Sequence, residues 1–322
     1  MNATELQTLF ENELKPKLEP LEQTRLEAVK RKNICLVLGA ILIAASIFWV
    51  LATNQEIEVA MFPIVIGGLI LGAFFNAKWS VYRKAYKNEV VTALLEFIDP
   101  SLTCRPNGYV DSTKYKTSGL YRRSYDRYSG EDHITGKIGK TAIEFSELHT
   151  EYKTTSRDSK GRTTTNWHTI FKGIFFIADA NKHFNSKTYV LADSQGFFSS
   201  IGKALTDKFG GIGDRVALED VDFEQYFEVY SDDQVEARYL LSPALMRRLV
   251  EFRKSAGNVG ISLSFVGGNI YIAIPNRKDF FEPKLNKSAV AFDMVEEIFR
   301  DLDFFIGVVE DLDLNTRIWT KQ

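Results

Sequence analysis

The densest run of side chains able to do chemistry is Glu131-Asp132-His133, with Glu147 close behind. Carboxylates beside an imidazole can trade protons as general acid and base, or ligate a metal ion. Gathered by strands, these four would make the site of an acid/base or metal-dependent hydrolase. The remaining histidines, His149, His168 and His183, are scattered. No pair stands at i, i+4, and the absence of a His-Glu-x-x-His helix excludes a zincin. There is no Gly-x-Ser-x-Gly elbow and no Gly-x4-Gly-Lys-Ser/Thr phosphate loop. Gly210-Gly211-x-Gly213 follows an expected helix rather than a strand and reads as a turn. Cys104 has no histidine or asparagine partner in sequence and reads as a structural thiol. No cofactor is expected, and a binding protein fits this inventory better than an enzyme does.

A second group mixes cations with tyrosines. Tyr115, Tyr121, Tyr125 and Tyr128 interleave with Lys114, Lys116, Arg122, Arg123 and Arg127, and a polar run further on adds Lys153, Arg157, Lys160 and Arg162. Such mixtures can hold phosphates, and beside a membrane they can hold anionic lipid headgroups or an acidic partner. Alternatively, the tyrosines fill one face of a sheet while the arginines snorkel past them into water. The formal net charge of −2 argues against a dedicated nucleic-acid binder.

The elements expected to position these groups are α+β. Alternating residues 142–152 and the β-branched, aromatic stretch 167–179 predict two strands around a long loop over 153–166. Residues 188–192 and 223–230 read as further strands, and 194–213 as a turn-rich stretch with a short helix. Ser242-Pro243 is a helix start, with a hydroxyl at the N-cap and proline at the first helical position, and Gly257 is its stop. Residues 261–266 and 269–274 flank Gly267-Gly268 as a tight hairpin. Val290, Met294, Ile298, Leu302 and Phe305 keep helical spacing near the end. No βαβ rhythm is present, so the sheet is expected to be mainly antiparallel, with a C-terminal helix.

Ahead of this domain lie two apolar runs, residues 34–53 and 61–77. The first has the roughly 20 residues that a bilayer span needs and no charge to oppose insertion. Lys30, Arg31 and Lys32 precede it, and Lys78, Arg83, Lys84 and Lys87 follow the second. The connector carries Glu56 and Glu58 but no basic residue. By the positive-inside rule, both termini are cytoplasmic and the hairpin sits in the inner (plasma) membrane. Trp49, Trp79 and Tyr82 stand where interfacial aromatics belong. Ala40, Ala44, Gly68 and Gly72 offer small-residue faces, either for packing the two spans or for pairing two copies. Residues 1–33 read as an amphipathic helix that Pro16 and Pro20 should kink or break. Residues 78–99 continue the second span, and residues 100–322 form the cytoplasmic α+β domain. Cys35 lies inside the first span, far from Cys104, so no disulfide is expected.

Several segments together are distinctive: Gly130-Glu131-Asp132 with Gly136 and Gly139; Phe145-Ser146-Glu147-Leu148; Phe171 to Asp179 with Asn181-Lys182; Phe227-Glu228-Val229-Tyr230; Ala237 to Pro243; and Phe281-Glu282-Pro283. On these the chain resembles, over most of its length, a bacterial family of uncharacterised membrane proteins. That family is a domain of unknown function sometimes labelled galanin-like. The resemblance implies membrane location and a cytoplasmic domain, and it supplies no catalytic residue. The expected protein is a membrane-held binding or scaffold module whose partners are the bilayer and another membrane or cytoplasmic protein. A membrane-tethered enzyme built on Glu131, Asp132, His133 and Glu147 is the alternative.

Overall fold

The computed structural model describes residues 3–53, 57–157, 161–192, 213–255, 257, 259–276 and 280–311. The chain divides into two compact units, Met1–Leu94 with Phe281–Asp301, and Leu95–Phe280 with the chain from Leu302 on.

The first unit is helical. Helix α1 (Ala3–Leu9) passes through a π turn (Phe10–Leu14) into α2 (Lys15–Thr53), and α3 runs Ile57–Ile98. At about 1.5 Å per residue, α2 and α3 are each about 60 Å long, roughly twice a hydrocarbon core. The expected break at the two prolines does not occur. The ring of Pro16 faces the carbonyl four residues earlier, at Asn12, and the wider π turn there makes room for it. Pro20 is carried inside α2.

Leu6, Phe10, Leu14 and Leu18 recur every four residues and are buried. On α3 the matching stripe is Tyr82, Tyr86, Val90, Val91, Leu94 and Leu95. The segment from Phe281 closes this bundle. Phe10 packs edge-on against Phe292, Glu22 accepts the Ala289 N–H at 2.6 Å, and buried Lys87 meets Glu282 at 2.9 Å.

Higher up, the seam between α2 and α3 is not the one expected. A Cβ at Gly67 would lie 2.3 Å from Leu42 Cδ2, whereas one at Gly68 or Gly72 would meet nothing within 4 Å. Ala40 and Ala44 are exposed as well. Each helical residue turns the chain by about 100°, so shifting the close contact from Gly68 to Gly67 moves Gly68-x-x-x-Gly72 onto an outward face. Cys35 Sγ donates to the Leu71 carbonyl at 3.2 Å along the true seam. At its end Arg31 donates to the Phe74 carbonyl at 3.0 Å and lies over the Phe74 ring.

The second unit is built on a nine-stranded antiparallel sheet, confirming the expected α+β class. Its strands are β1 (Thr103–Arg105), β2 (Arg127–Ile138), β3 (Thr141–Arg157), β4 (Thr163–Asp179), β5 (Thr188–Ala192), β6 (Asp214–Arg215), β7 (Phe227–Ser231), β8 (Ser262–Val266) and β9 (Asn269–Pro275). Their order is β1-β2-β3-β4-β9-β8-β5-β7-β6. One rung crosses from Thr103 through Thr135, Glu144, Ile177, Tyr271, Ser264, Tyr189 and Tyr230 to Arg215. Residues directly opposite share a face, so this rung defines a front.

Short helix α4 (Ser112–Ser118) covers the front. Asp111 caps it by accepting the Thr113 N–H at 2.7 Å, and Gly119 ends it at φ 67°. Its Tyr115 is buried among Tyr121, Tyr125, Tyr128, Phe171 and Phe175. The back face stacks Phe145 on Phe176, and the ring of Phe305 on the C-terminal helix α8 (Phe292–Asp311) lies tilted at 6.2 Å from Phe145.

The Ser242-Pro243 start and the Gly267-Gly268 hairpin form as expected. Ser242 Oγ accepts the Leu245 N–H, helix α7 spans Pro243–Ser255, and Gly267 takes φ 64°. In the stretch 223–230, Val221–Glu224 is a turn of helix (α5) and the strand begins only at Phe227. A further helix, α6, occupies Gln234–Leu240. Residues 194–212 lie outside the described residues.

The long loop expected over 153–166 is mostly strand. β3 and β4 stay paired out to Arg157 opposite Thr163. Neither face of this tip is covered, so it carries no apolar alternation, and its threonines supply the β-branched preference instead.

The hydroxyls of Tyr82 and Tyr86 are buried with no hydrogen-bond partner among the described residues. A buried hydroxyl without a partner costs about 1–3 kcal/mol. Tyr86→Phe should therefore leave thermal stability unchanged or raise it by about 1 kcal/mol, while Tyr86→Ala should lower it by about 3–5 kcal/mol through the cavity left. Thermal unfolding of the purified full chain reads both.

Candidate functional site

The stretch Glu131-Asp132-His133 sits on β2, where the register with β3 slips between Glu131 and Ile134. Asp132 takes φ 58° at the slip, its N–H held by the Pro106 carbonyl at 3.1 Å. A bulge re-aims side chains, and here it separates the four candidates. Glu131 stands opposite Glu147, and the carboxylates of Glu131, Asp132 and Glu147 come within 4.8 Å of one another. Asp132 and Glu147 are buried, and Glu147 accepts the Phe280 N–H at 3.2 Å. Three carboxylates gathered this closely can ligate a hard divalent cation through oxygen or share a proton.

His133 does not join them. It stands opposite Arg105 and reaches across the front face, where Glu144 Oε1 lies 2.8 Å from its Nε2 and Arg105 Nη2 lies 2.6 Å from its Nδ1. A guanidinium only donates, so Nδ1 accepts and the ring proton sits on Nε2, directed at Glu144. Lys114 of α4 holds the other oxygen of Glu144. The result is a chain Arg105–His133–Glu144–Lys114, whose last two members, Glu144 and Lys114, edge a cleft of about 320 Å³. Ile143, Ile177 and Tyr271 line the cleft, with Thr135, Asp179 and Asn269 at its polar positions.

Desolvation pushes the Glu144 carboxyl up. The hydrogen bonds from His133 and Lys114, with the charge of Lys114, outweigh it and leave the group below its ordinary value. Burial pushes the Tyr271 phenol up, against its hydrogen bond to Asn269 and the charge of Lys114. Arg105, Glu144, Asp179 and Tyr271 were not singled out from the sequence. Glu144 carries the one local signal, an acid between Ile143 and Phe145 near the apolar start of β3. Its neighbours on β1, β4 and β9 are visible only once the strands pair.

The basic residues of the second group scatter. Lys114 is committed to Glu144, Lys116 lies 4.9 Å over Tyr125, and Arg122 lies 5.9 Å from the Tyr189 ring. Arg123 stacks on Tyr152 at 3.2 Å and Arg127 on Trp167 at 3.4 Å. Both therefore sit at the base of the β3–β4 tip that also bears Lys153, Arg157 and Arg162. Lys160 lies outside the described residues. Of the tyrosines, Tyr115 is buried at the centre of the front-face core, and Tyr121, Tyr125 and Tyr128 pack against that core.

Residues 169–314 match the family described as "Protein of unknown function (DUF3137)". The match covers the C-terminal part of the chain, including the Phe171, Phe227, Ala237 and Phe281 segments of the resemblance above but not Gly130 or Phe145. Neither the galanin-like label nor membrane character is part of that description. No curated protein matches the chain by sequence. Among solved structures, the mycobacterial trehalose monomycolate transport factor A, TtfA, aligns at TM-score 0.32 and 12% identity, over 71% of this chain and 97% of that one.

Glu144 supplies a pH test. A carboxyl held low in the folded state stabilises above its unfolded value, and the contribution is lost as pH falls through the folded value. The melting temperature of the full chain should fall between about pH 5 and pH 3, and Glu144→Gln should flatten that fall while lowering stability at neutral pH.

Proposed function

We propose that this chain is an integral inner-membrane protein whose two spans hold an α+β binding module at the cytoplasmic face, as an interaction or scaffold component. The observation that carries this reading is the bare apolar surface of the two long helices. The most apolar stretch of the first is 6% buried and that of the second 0%. Phe48, Leu51, Phe62 and Leu69 each expose 70% or more of their surface. Side chains of this kind in one continuous patch are stable only against lipid or another protein. Arg31 and Lys78, at the ends of the apolar stretch, and exposed Trp49 fit interfacial positions. The outward stripes of Ala40, Ala44, Gly68 and Gly72 leave room for a second copy to approach within the bilayer.

Alkaline carbonate should leave the full-length protein in the vesicle pellet, and protein that washes off overturns the reading. Orientation is tested in a Cys35→Ser, Cys104→Ser background. An impermeant thiol reagent on intact cells should label Glu58→Cys and spare Lys153→Cys.

A second reading rests on the approach of Glu131, Asp132 and Glu147 to within 4.8 Å. In it the trio holds a divalent cation and supports acid/base chemistry. Elemental analysis of purified protein should then find stoichiometric metal that Glu147→Gln removes, with the fold retained by circular dichroism. Metal-free protein sinks this reading and leaves the first untouched.

A further inference from the structure

The tip of the β3–β4 hairpin stands out from the sheet. β2 begins at Arg127, opposite Glu151, and β9 ends at Pro275, opposite Gly173. Beyond those rungs the edges keep the Asn276 N–H on the Lys172 carbonyl and the Lys153 N–H on Asp126 Oδ2, no further strand pairs with the ribbon among the described residues, and residues 153–157 and 161–167 are exposed. An unpaired edge invites strand addition, and natural proteins block it with charge. Among its described residues from Lys153 onward, this ribbon carries only positive charge, and cations lie on both of its faces.

Lys153 stands opposite Trp167, and Arg127 lies over the Trp167 ring. One residue away, hence on the other face, Tyr152 stands opposite His168 with the rings stacked at 4.8 Å, and Arg123 lies over Tyr152. Arg157 and Arg162 occupy the tip. Among the described residues, the two neighbouring acids are each engaged by one of these cations, Glu151 with Arg127 at 3.6 Å and Asp126 with Lys153 at 4.0 Å. The ribbon thus keeps a cationic excess on an otherwise slightly acidic protein. A guanidinium resting on an aromatic ring is oriented in advance and keeps its edge donors for an incoming oxygen. The threonines along both strands add hydroxyl donors.

We infer that this ribbon docks into an anionic lipid headgroup layer, with Arg123, Arg127, Lys153, Arg157 and Arg162 receiving the phosphates. The proposal rests on the membrane-anchored reading above, since the spans keep the ribbon at high effective concentration beside headgroups. Cations on both faces suit a finger surrounded by phosphates better than a surface that meets a partner on one side. They also oppose pairing with the same ribbon of a second copy, because like charges would meet.

The test uses the full chain in nanodiscs, read by hydrogen exchange of peptides covering 150–170. In discs containing phosphatidylglycerol, exchange of the ribbon should be about fivefold slower than in pure phosphatidylcholine, a change expected of about one basic residue near an anionic surface. High salt should abolish the difference. The triple variant Lys153→Gln, Arg157→Gln, Arg162→Gln should lose it too, while peptides over 171–179 exchange as before and so show an intact sheet. Equal exchange in both lipids overturns the proposal. So does slowing by a DNA duplex in phosphatidylcholine discs without any effect of phosphatidylglycerol. Either result leaves the anchoring reading standing, because the chain is held in the disc; a chain that fails to enter discs sinks the anchoring reading instead.

Discussion

Backbone hydrogen bonds tie β3 to β4 from Ile143 opposite Ala178 to Arg157 opposite Thr163. That ladder sets the register of everything beside it. β2 takes its phase from β3 and β9 takes its phase from β4, so the rung through Glu144, Ile177 and Tyr271 exists because these two central strands are in step. Side chains on a strand alternate between faces, and register alone decides whether a residue meets core or solvent. Phe145 and Phe176 thereby face the C-terminal helix, while Glu144 faces Lys114 and His133. Close backbone contact at Gly173 belongs to the same requirement. It sits at φ 149°, and a Cβ there would lie 2.1 Å from the Ile274 carbonyl.

The helical unit depends on a different constraint, the spacing of apolar side chains over very long helices. Leu6, Phe10, Leu14 and Leu18 hold one stripe only because the π turn keeps the proline-rich start of α2 in phase with α1. Further along, the same two helices change environment without changing conformation. Their bundled ends bury tyrosines and leucines, and their apolar halves bury almost nothing.

Much of this was legible in the residues, because the signals were local. A capping serine before proline, a glycine stop, a Gly-Gly turn and four-residue apolar spacing each depend on neighbours a few positions away. Three features were not. The ribbon tip has no apolar alternation, since neither face is covered, so its strand character rests on Thr154, Thr155 and Thr163–Thr165 alone. Helix α4 is seven residues long, too short for periodicity, and only the Asp111 cap and Gly119 mark it. The seam of the helical pair differs from the glycine motif by one position, a choice made by how Leu42 fills space against Gly67. The candidate site lay between these cases. Its residue types were visible, but the grouping of Glu131, Asp132 and Glu147 apart from His133 depended on a slip in strand pairing that no single segment encodes.

That slip at Asp132 makes chain length there more consequential than residue identity. Removing one residue between Glu131 and Ile134 would restore an even frame and leave composition almost unchanged. With Glu131 still opposite Glu147 and Ile134 still opposite Phe145, the single residue left between them would face the front, and the stretch could no longer send a carboxylate to one side and an imidazole to the other. A swap of one amino acid for another in this stretch loses a single contact, whereas a deletion there removes the two-sided presentation itself.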